Sequence, residues 1–226
     1  GLEKRKEEVR AAITEQGKMT EEIDAALAAA EILAEVEDIY RPFKQKRKTR
    51  ASVAAEKGLT PLAELILEQT DLDVKEKAKE FINPEKGVEK IEQAIAGASD
   101  IIAERVSDDA ELRKNIRKKI FETGEISCKL LENENAKTYD MYAEYSEKIA
   151  KIPSHRILAV NRGEKEECLK VNIVVDTEAF VNAIKTVYVK NQTESAEIVG
   201  NACADAYSRL IFPSVEREVR NELTDT

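Results

Sequence analysis

Apolar residues recur along most of the chain in steps of three and four, the spacing that lines one face of an α-helix. Leu2, Val9 and Ile13 share such a face, with Gly17 as the stop and Thr20 as the cap of a second helix whose first turn holds Glu21 and Glu22. Ile32, Val36, Ile39 and Tyr40 form the next stripe. It breaks at Arg41-Pro42, because the residue before a proline is pushed out of the α region. "ASVAAEKG" and "TPLAELILEQ" read as two short helices, the first closed by Gly58, the second capped by Thr60 with Pro61 at its first helical position. Two short helices across a tight glycine turn predict a helix-turn-helix-like element, an arrangement common among all-helical proteins. "DVKEKAKEFI" adds a third helix that ends at Asn83-Pro84.

From Gly87 onward, Val88, Ile91, Ile95, Ala98, Ile102 and Val106 place a narrow stripe along a longer helix. Asp108 with Glu111 reads as the capping pair of the next, in which Leu112, Ile116 and Ile120 step by four up to Gly124. The two are expected to pack antiparallel. The period then changes to two in "EISCKLLE" and "CLKVNIVV", where Leu169, Val171 and Ile173 alternate with polar neighbours, which predicts two strands of one small sheet. Between them Tyr139, Tyr142 and Tyr145 keep a helical spacing. "SHRILAVNRG" reads as a helix from a Ser154 cap to Gly163 or as a strand over 156–162. Helices return from Thr177, with Phe180 and Ile184 in one, Ile198, Ala202 and Leu210 in the next, and Pro213 opening a last one. The fold class is mainly α: a helical bundle with a helix-turn-helix-like element plus a small two- or three-stranded β element. Residues 1–84 form an N-terminal helical region, and 85–226 a helical region that carries the strands.

Composition agrees with a helical chain, since only 5 % of the 226 residues are aromatic and none is Trp. The formal charge is −9, yet "RPFKQKRKTR" at 41–50 holds six basic side chains and no acidic one. Outside that window 30 basic residues face 45 acidic ones, a formal −15. An acidic surface repels phosphate, so any nucleic-acid contact must be confined to a patch. Cys128, Cys168 and Cys203 show no paired spacing and read as reduced thiols of core or strand. No apolar run is long enough for a membrane span, and no basic-then-apolar leader is present. Both ends fall in helix-like sequence, so a piece of a larger protein is expected.

Catalytic chemistry finds no constellation here, and no enzyme, cofactor or metal is expected. The one histidine, His155, has no ligand partner at a metal spacing and reads as a locally hydrogen-bonded helix N-terminal side chain, with a switch or ligand role as the alternative. Phosphate-binding glycine motifs and a nucleophile elbow are missing. The tyrosine series is either core or a stacking surface for bases. That leaves Arg41, Lys44, Lys46, Arg47, Lys48 and Arg50, which together can neutralise several phosphates and release their counterions. A solvated loop, an internal salt-bridge hub for the acidic helices and a docking site for an acidic protein compete with that reading.

Three blocks go further than composition: "LAEVEDIYRPFKQKRKTRASVAAEKGLTPLAELI", "KIPSHRILAVNRGE" and "AYSRLIFPSVEREVRNELT". In this order they resemble the bacterial Tex family of transcription accessory proteins, over essentially the whole chain. The resemblance implies a cytoplasmic, multi-domain, nucleic-acid-binding transcription factor whose core architecture is shared with a eukaryotic elongation factor that also chaperones histones. It implies a helical region with a helix-turn-helix element, followed by a nuclease-like domain, helix-hairpin-helix elements and an S1 domain. This chain corresponds to the first of these only. The implied partners are RNA or DNA, reached mainly through the other domains, and the transcription machinery, with no membrane. The basic run matches a recurring family block and is the expected nucleic-acid contact; the alternative is a structural module that docks acidic protein surfaces.

Overall fold

The structure, a computed structural model, describes residues 1–45 and 47–225. It is 68 % helical, with twelve α-helices and a small three-stranded antiparallel sheet among the described residues. Grouped by contacts rather than by sequence order, the chain forms two compact units. The first comprises Gly1–Lys114 and Val181–Ile211, the second Asn115–Phe180 and Phe212–Thr226.

The first unit opens with α1 (Leu2–Glu15), α2 (Glu21–Ala29) and α3 (Leu33–Tyr40), which pack on one another around Val9, Ile13, Leu27, Ala30 and Val36. Gly17 takes a positive φ of 71° at the end of α1, and the Thr20 hydroxyl accepts from the Ile23 N–H at 3.1 Å, as the stop and cap signals required. Lys6 is buried on α1 because its ammonium donates to the Ala28 carbonyl at 3.2 Å, near the end of α2, where unpaired carbonyls need donors.

Next come α4 (Arg50–Glu56), α5 (Thr60–Leu67) and α6 (Val74–Lys79), all packed on the long α7 (Ile91–Ser107). The expected stop at Gly58 is real, with φ 81°. Thr60, however, is the first residue of α5 rather than its cap; Leu59 holds the cap position without a side-chain bond, because Pro61 already removes an N–H that would need one. α7 packs on α11 (Glu194–Asp205) as well, and is followed by α8 (Ala110–Thr123). The α7 face is built from Ala94, Gly97, Ala98 and Ile101, small enough for close approach: a Cβ on Gly97 would sit 2.3 Å from Leu59 Cδ1. The cap of α8 is Asp109, whose carboxylate accepts from the Leu112 N–H at 3.0 Å, one residue beyond the expected Asp108.

Gln69 closes this unit. It is buried with φ 57°, a left-handed conformation that non-glycine residues adopt only when their surroundings impose it. Its amide donates to the Tyr188 carbonyl at 2.8 Å and accepts from the Lys190 N–H at 2.7 Å, and its own carbonyl accepts from Asn191 and Thr193, each at 3.0 Å. The end of α5 is thereby clasped to the loop between α10 (Thr177–Tyr188) and α11.

In the second unit β1 (Glu125–Leu130) pairs antiparallel with both β3 (Leu169–Val174) and the short β2 (Ser146–Lys148), giving the order β2-β1-β3. Residues 154–165 are helical (α9, Ser154–Lys165), which decides against the strand alternative, and Pro153 rather than Ser154 holds the cap position. Gly163 lies inside that helix instead of ending it, and it is glycine for packing, since a Cβ there would meet Leu169 Cδ1 at 2.4 Å. The final helix, α12 (Phe212–Asp225), packs on α9, and its Glu216 accepts from the Ile173 N–H of β3 at 2.9 Å. Pro213 does not start a new helix from a loop. The helix arrives through a π-turn at Ala206–Ile211, a widening that fits a proline unable to donate to the preceding turn.

Candidate nucleic-acid interface

The basic run begins where α3 ends. Arg41–Phe43 form one 3-10 turn with Pro42 near its start, and the Lys44 N–H still donates to the Tyr40 carbonyl at 3.0 Å. Tyr40 and Phe43 pack against the α1–α3 core, and the Phe43 carbonyl accepts from the Gln16 amide at 2.8 Å, so the entry of the run is fixed. Its exit is fixed too. Thr49 and Ser52 form a reciprocal capping box at the start of α4, with bonds of 3.0 and 2.8 Å. Between these anchors the chain has no apolar residue to bury, and Lys44, Gln45, Arg47 and Lys48 are exposed.

Lys44, Arg47, Lys48 and Arg50 are exposed, and Arg41 is half-buried with its Nε enclosed and without a hydrogen-bond partner. Lys46, the sixth expected site residue, lies outside the described residues. None of the five others forms an ion pair among the described residues. Arginines elsewhere behave differently: Arg5 pairs with Glu37 at 2.6 Å, Arg10 with Asp24 at 2.6 Å, Arg105 with Glu64 at 2.6 Å and Arg220 with Glu164 at 2.9 Å. An internal salt-bridge hub is therefore not what the described cations of the run form.

Beside the run lies a groove of about 420 Å³ between α4 and α7, lined among others by Lys48, Arg50, Val53, Lys57, Leu59 and Asp100. Burial pushes the Asp100 carboxyl above its ordinary range, against the pull of Arg209, 3.7 Å away, and of Arg50. Sequence reasoning passed over Lys57, whose signal is a lysine directly before the left-handed Gly58.

The other candidates resolve differently. Tyr139 and Tyr142 are each 6 % exposed, in a 3-10 segment (Ala136–Tyr142) rather than an α-helix, and so belong to the core instead of a stacking surface. Tyr145 meets the edge of Tyr142 at 5.1 Å between ring centroids. Burial first, then its bond to Glu147, pushes the Tyr145 hydroxyl up to about 12. His155 is exposed in the first turn of α9, and no group of three or more metal-ligating side chains occurs among the described residues. All three cysteines are free and buried. No helix among the described residues is long and apolar enough to cross a membrane.

The family profile described as Tex central region-like matches residues 69–226. The YdcI protein of Bacillus subtilis (strain 168) is 44 % identical over 99 % of this chain and 32 % of its own length. Protein tex of Bordetella pertussis is 31 % identical over 95 % of this chain and 29 % of its own length. The S1 RNA-binding domain-containing protein 1 of Homo sapiens is 26 % identical over 94 % of this chain and 23 % of its own length. The chain thus spans about a third or less of these relatives. With the profile covering most of its residues and the basic run set in a fixed frame ahead of it, this chain belongs to the Tex family.

Proposed function

We propose that this segment is a non-catalytic nucleic-acid contact and scaffold within a Tex-family transcription accessory protein of the cytoplasm, and that the basic run at 41–50 supplies the contact. One observation carries the reading: a loop anchored at both ends holds Lys44, Arg47, Lys48 and Arg50 exposed and without an ion pair among the described residues, in a chain where nine of the ten arginines outside the run form one. Phosphate is the anion such a loop suits, because each neutralised phosphate releases counterions and adds affinity without any base contact. Positioning rather than sequence choice is the expected role. The nucleic-acid partner is RNA or DNA, and the transcription machinery is the setting.

Fluorescence anisotropy with a single-stranded RNA and with duplex DNA across a salt series tests it. If Lys44 and Arg47 each meet one phosphate and Lys48 and Arg50 share one, the log-log salt slope on a single strand is about −2. Changing Lys44, Arg47 and Lys48 together to Glu removes that binding while the helical circular dichroism stays intact. Absence of binding at low salt, or binding that the triple variant retains, overturns the reading. Saturable binding of polyglutamate in place of nucleic acid assigns the run to acidic protein surfaces.

A further inference from the structure

Lys57 and Lys86 lie outside the basic run, and each directly precedes a left-handed glycine, Gly58 at φ 81° and Gly87 at φ 86°. The two turns face one another. A Cβ built on Gly58 would lie 3.7 Å from Lys86 Nζ, and one built on Gly87 would lie 3.6 Å from Lys57 Cε. Each lysine therefore reaches across the other's turn, and neither forms an ion pair among the described residues. Two like charges gathered this way repel, and an anion placed between them relieves the repulsion. A larger side chain at either glycine would need a backbone that L residues rarely adopt, so the close crossing depends on both glycines.

Lys57 also lines the groove that Lys48 and Arg50 border, so the basic loop and the paired turns belong to one continuous cationic margin. Inside that margin the lining is aliphatic, with Val53, Leu59 and Ala96. Besides Thr49, two polar groups interrupt it. Gln93 accepts through its amide oxygen from the Glu89 and Lys90 N–H groups at 2.6 and 3.1 Å, which leaves its amide N–H groups as donors, and Asp100 offers an acceptor. A volume of about 420 Å³ falls in the range of clefts that hold small molecules. A duplex keeps its bases stacked and presents phosphates alone, so it leaves an apolar recess with a donor and an acceptor empty. An unstacked base covers it.

We infer that the groove and the crossed lysine turns form the second half of a single-stranded nucleic-acid track, with one phosphate on Lys48 and Arg50, a following one on Lys57 and Lys86, and the base between them in the recess. This rests on reading the basic loop as a phosphate contact. Reductive methylation of the lysines with ¹³C keeps their charge and gives each a separate NMR signal, assigned by Lys→Arg variants. The chain is then titrated with a single-stranded RNA of about 10 nucleotides, a common site size for single-strand binders, with the matching duplex and with polyglutamate. The expected result is that the Lys44, Lys48, Lys57 and Lys86 signals move together on the single strand. The double variant Lys57→Gln with Lys86→Gln, which gives up that one phosphate, then lowers the single-strand salt slope by about 0.7. Ala96→Leu, which fills the recess without changing charge, weakens single-strand binding severalfold and leaves duplex binding as it was. Movement of the Lys44 and Lys48 signals alone overturns the inference and leaves the loop reading standing. Equal movement on duplex, or no effect of Ala96→Leu, overturns the seated base. If no signal moves with either nucleic acid, or only polyglutamate moves them, the loop reading falls and the track with it.

Discussion

Residues 41–50 and residues 113–119 are the two stretches densest in positive charge, with six and five cations respectively, and the molecule uses them in opposite ways. In the second, Arg113 is 0 % exposed, its Nε 3.6 Å from Asp38 and its Nη1 donating to the Ser107 carbonyl at 3.0 Å. Arg117 is 3 % exposed and donates twice to Glu218, at 3.0 and 2.9 Å. The difference follows from what surrounds the charges. Around 113–119, Leu112, Ile116 and Ile120 step by four on α8 and carry the adjacent Arg113 and Arg117 toward the buried side, where each must find an anion. Around 41–50 a proline ends the helix and no apolar period follows, so nothing draws Lys44, Arg47, Lys48 or Arg50 inward. Charge density alone does not assign a role; the periodicity beneath it does.

The contrast breaks most visibly at Arg113. Arg113→Ala takes the buried guanidinium from beside Asp38 and from the Ser107 carbonyl and should cost about 3–5 kcal/mol in urea unfolding; a loss no larger than that of a surface substitution would end the contrast. Gly97→Val, which drives a side chain into Leu59, should cost about 1–3 kcal/mol by overpacking, and hydrogen exchange of α4 and α5 should accelerate with it. Arg117→Ala should cost about 1–3 kcal/mol, the expense of an unpaired partner, and less than Arg113→Ala because Glu218 keeps 23 % side-chain exposure. The combined change of Lys44, Arg47 and Lys48 to Glu should shift stability by no more than about 0.5 kcal/mol while nucleic-acid affinity collapses in the same samples. A large stability loss there would mean the run serves the fold.

Local signals were legible wherever the cause is local. Gly17 and Gly58 end helices because only a residue without a Cβ takes their φ easily, and Thr20 caps α2 with the bond its side chain suits. The alternation in 169–173 gave β3, and its partner β1 was visible in "EISCKLLE". Asp109 displaced Asp108 as the cap of α8, and it also accepts a bond from the Tyr188 hydroxyl, a residue remote in sequence. Tyr139 and Tyr142 kept a spacing that served the buried face of a 3-10 segment, because steps of three fit that helix as well as an α-helix. Of the candidate site, the start of the basic run and the exposure of Lys44, Arg47, Lys48 and Arg50 followed from Pro42 and the lack of apolar period. Lys57, Lys86 and the groove did not, since nothing local says which two glycine turns will meet.

The sequence by itself determined the helical class, the strand pair, the break at Arg41-Pro42 and the family, because these depend on neighbours within a few residues or on whole blocks of matching sequence. Tertiary structure alone decided that α7 packs on α4, α5, α6 and α11, that Gln69 adopts a left-handed backbone to clasp the loop after α10, and which cations are buried and which are left without an anion. Those outcomes depend on the fit of surfaces distant in sequence. A missing Cβ at Gly97 or a carboxylate at Asp38 counts only once folding has brought its partner within reach.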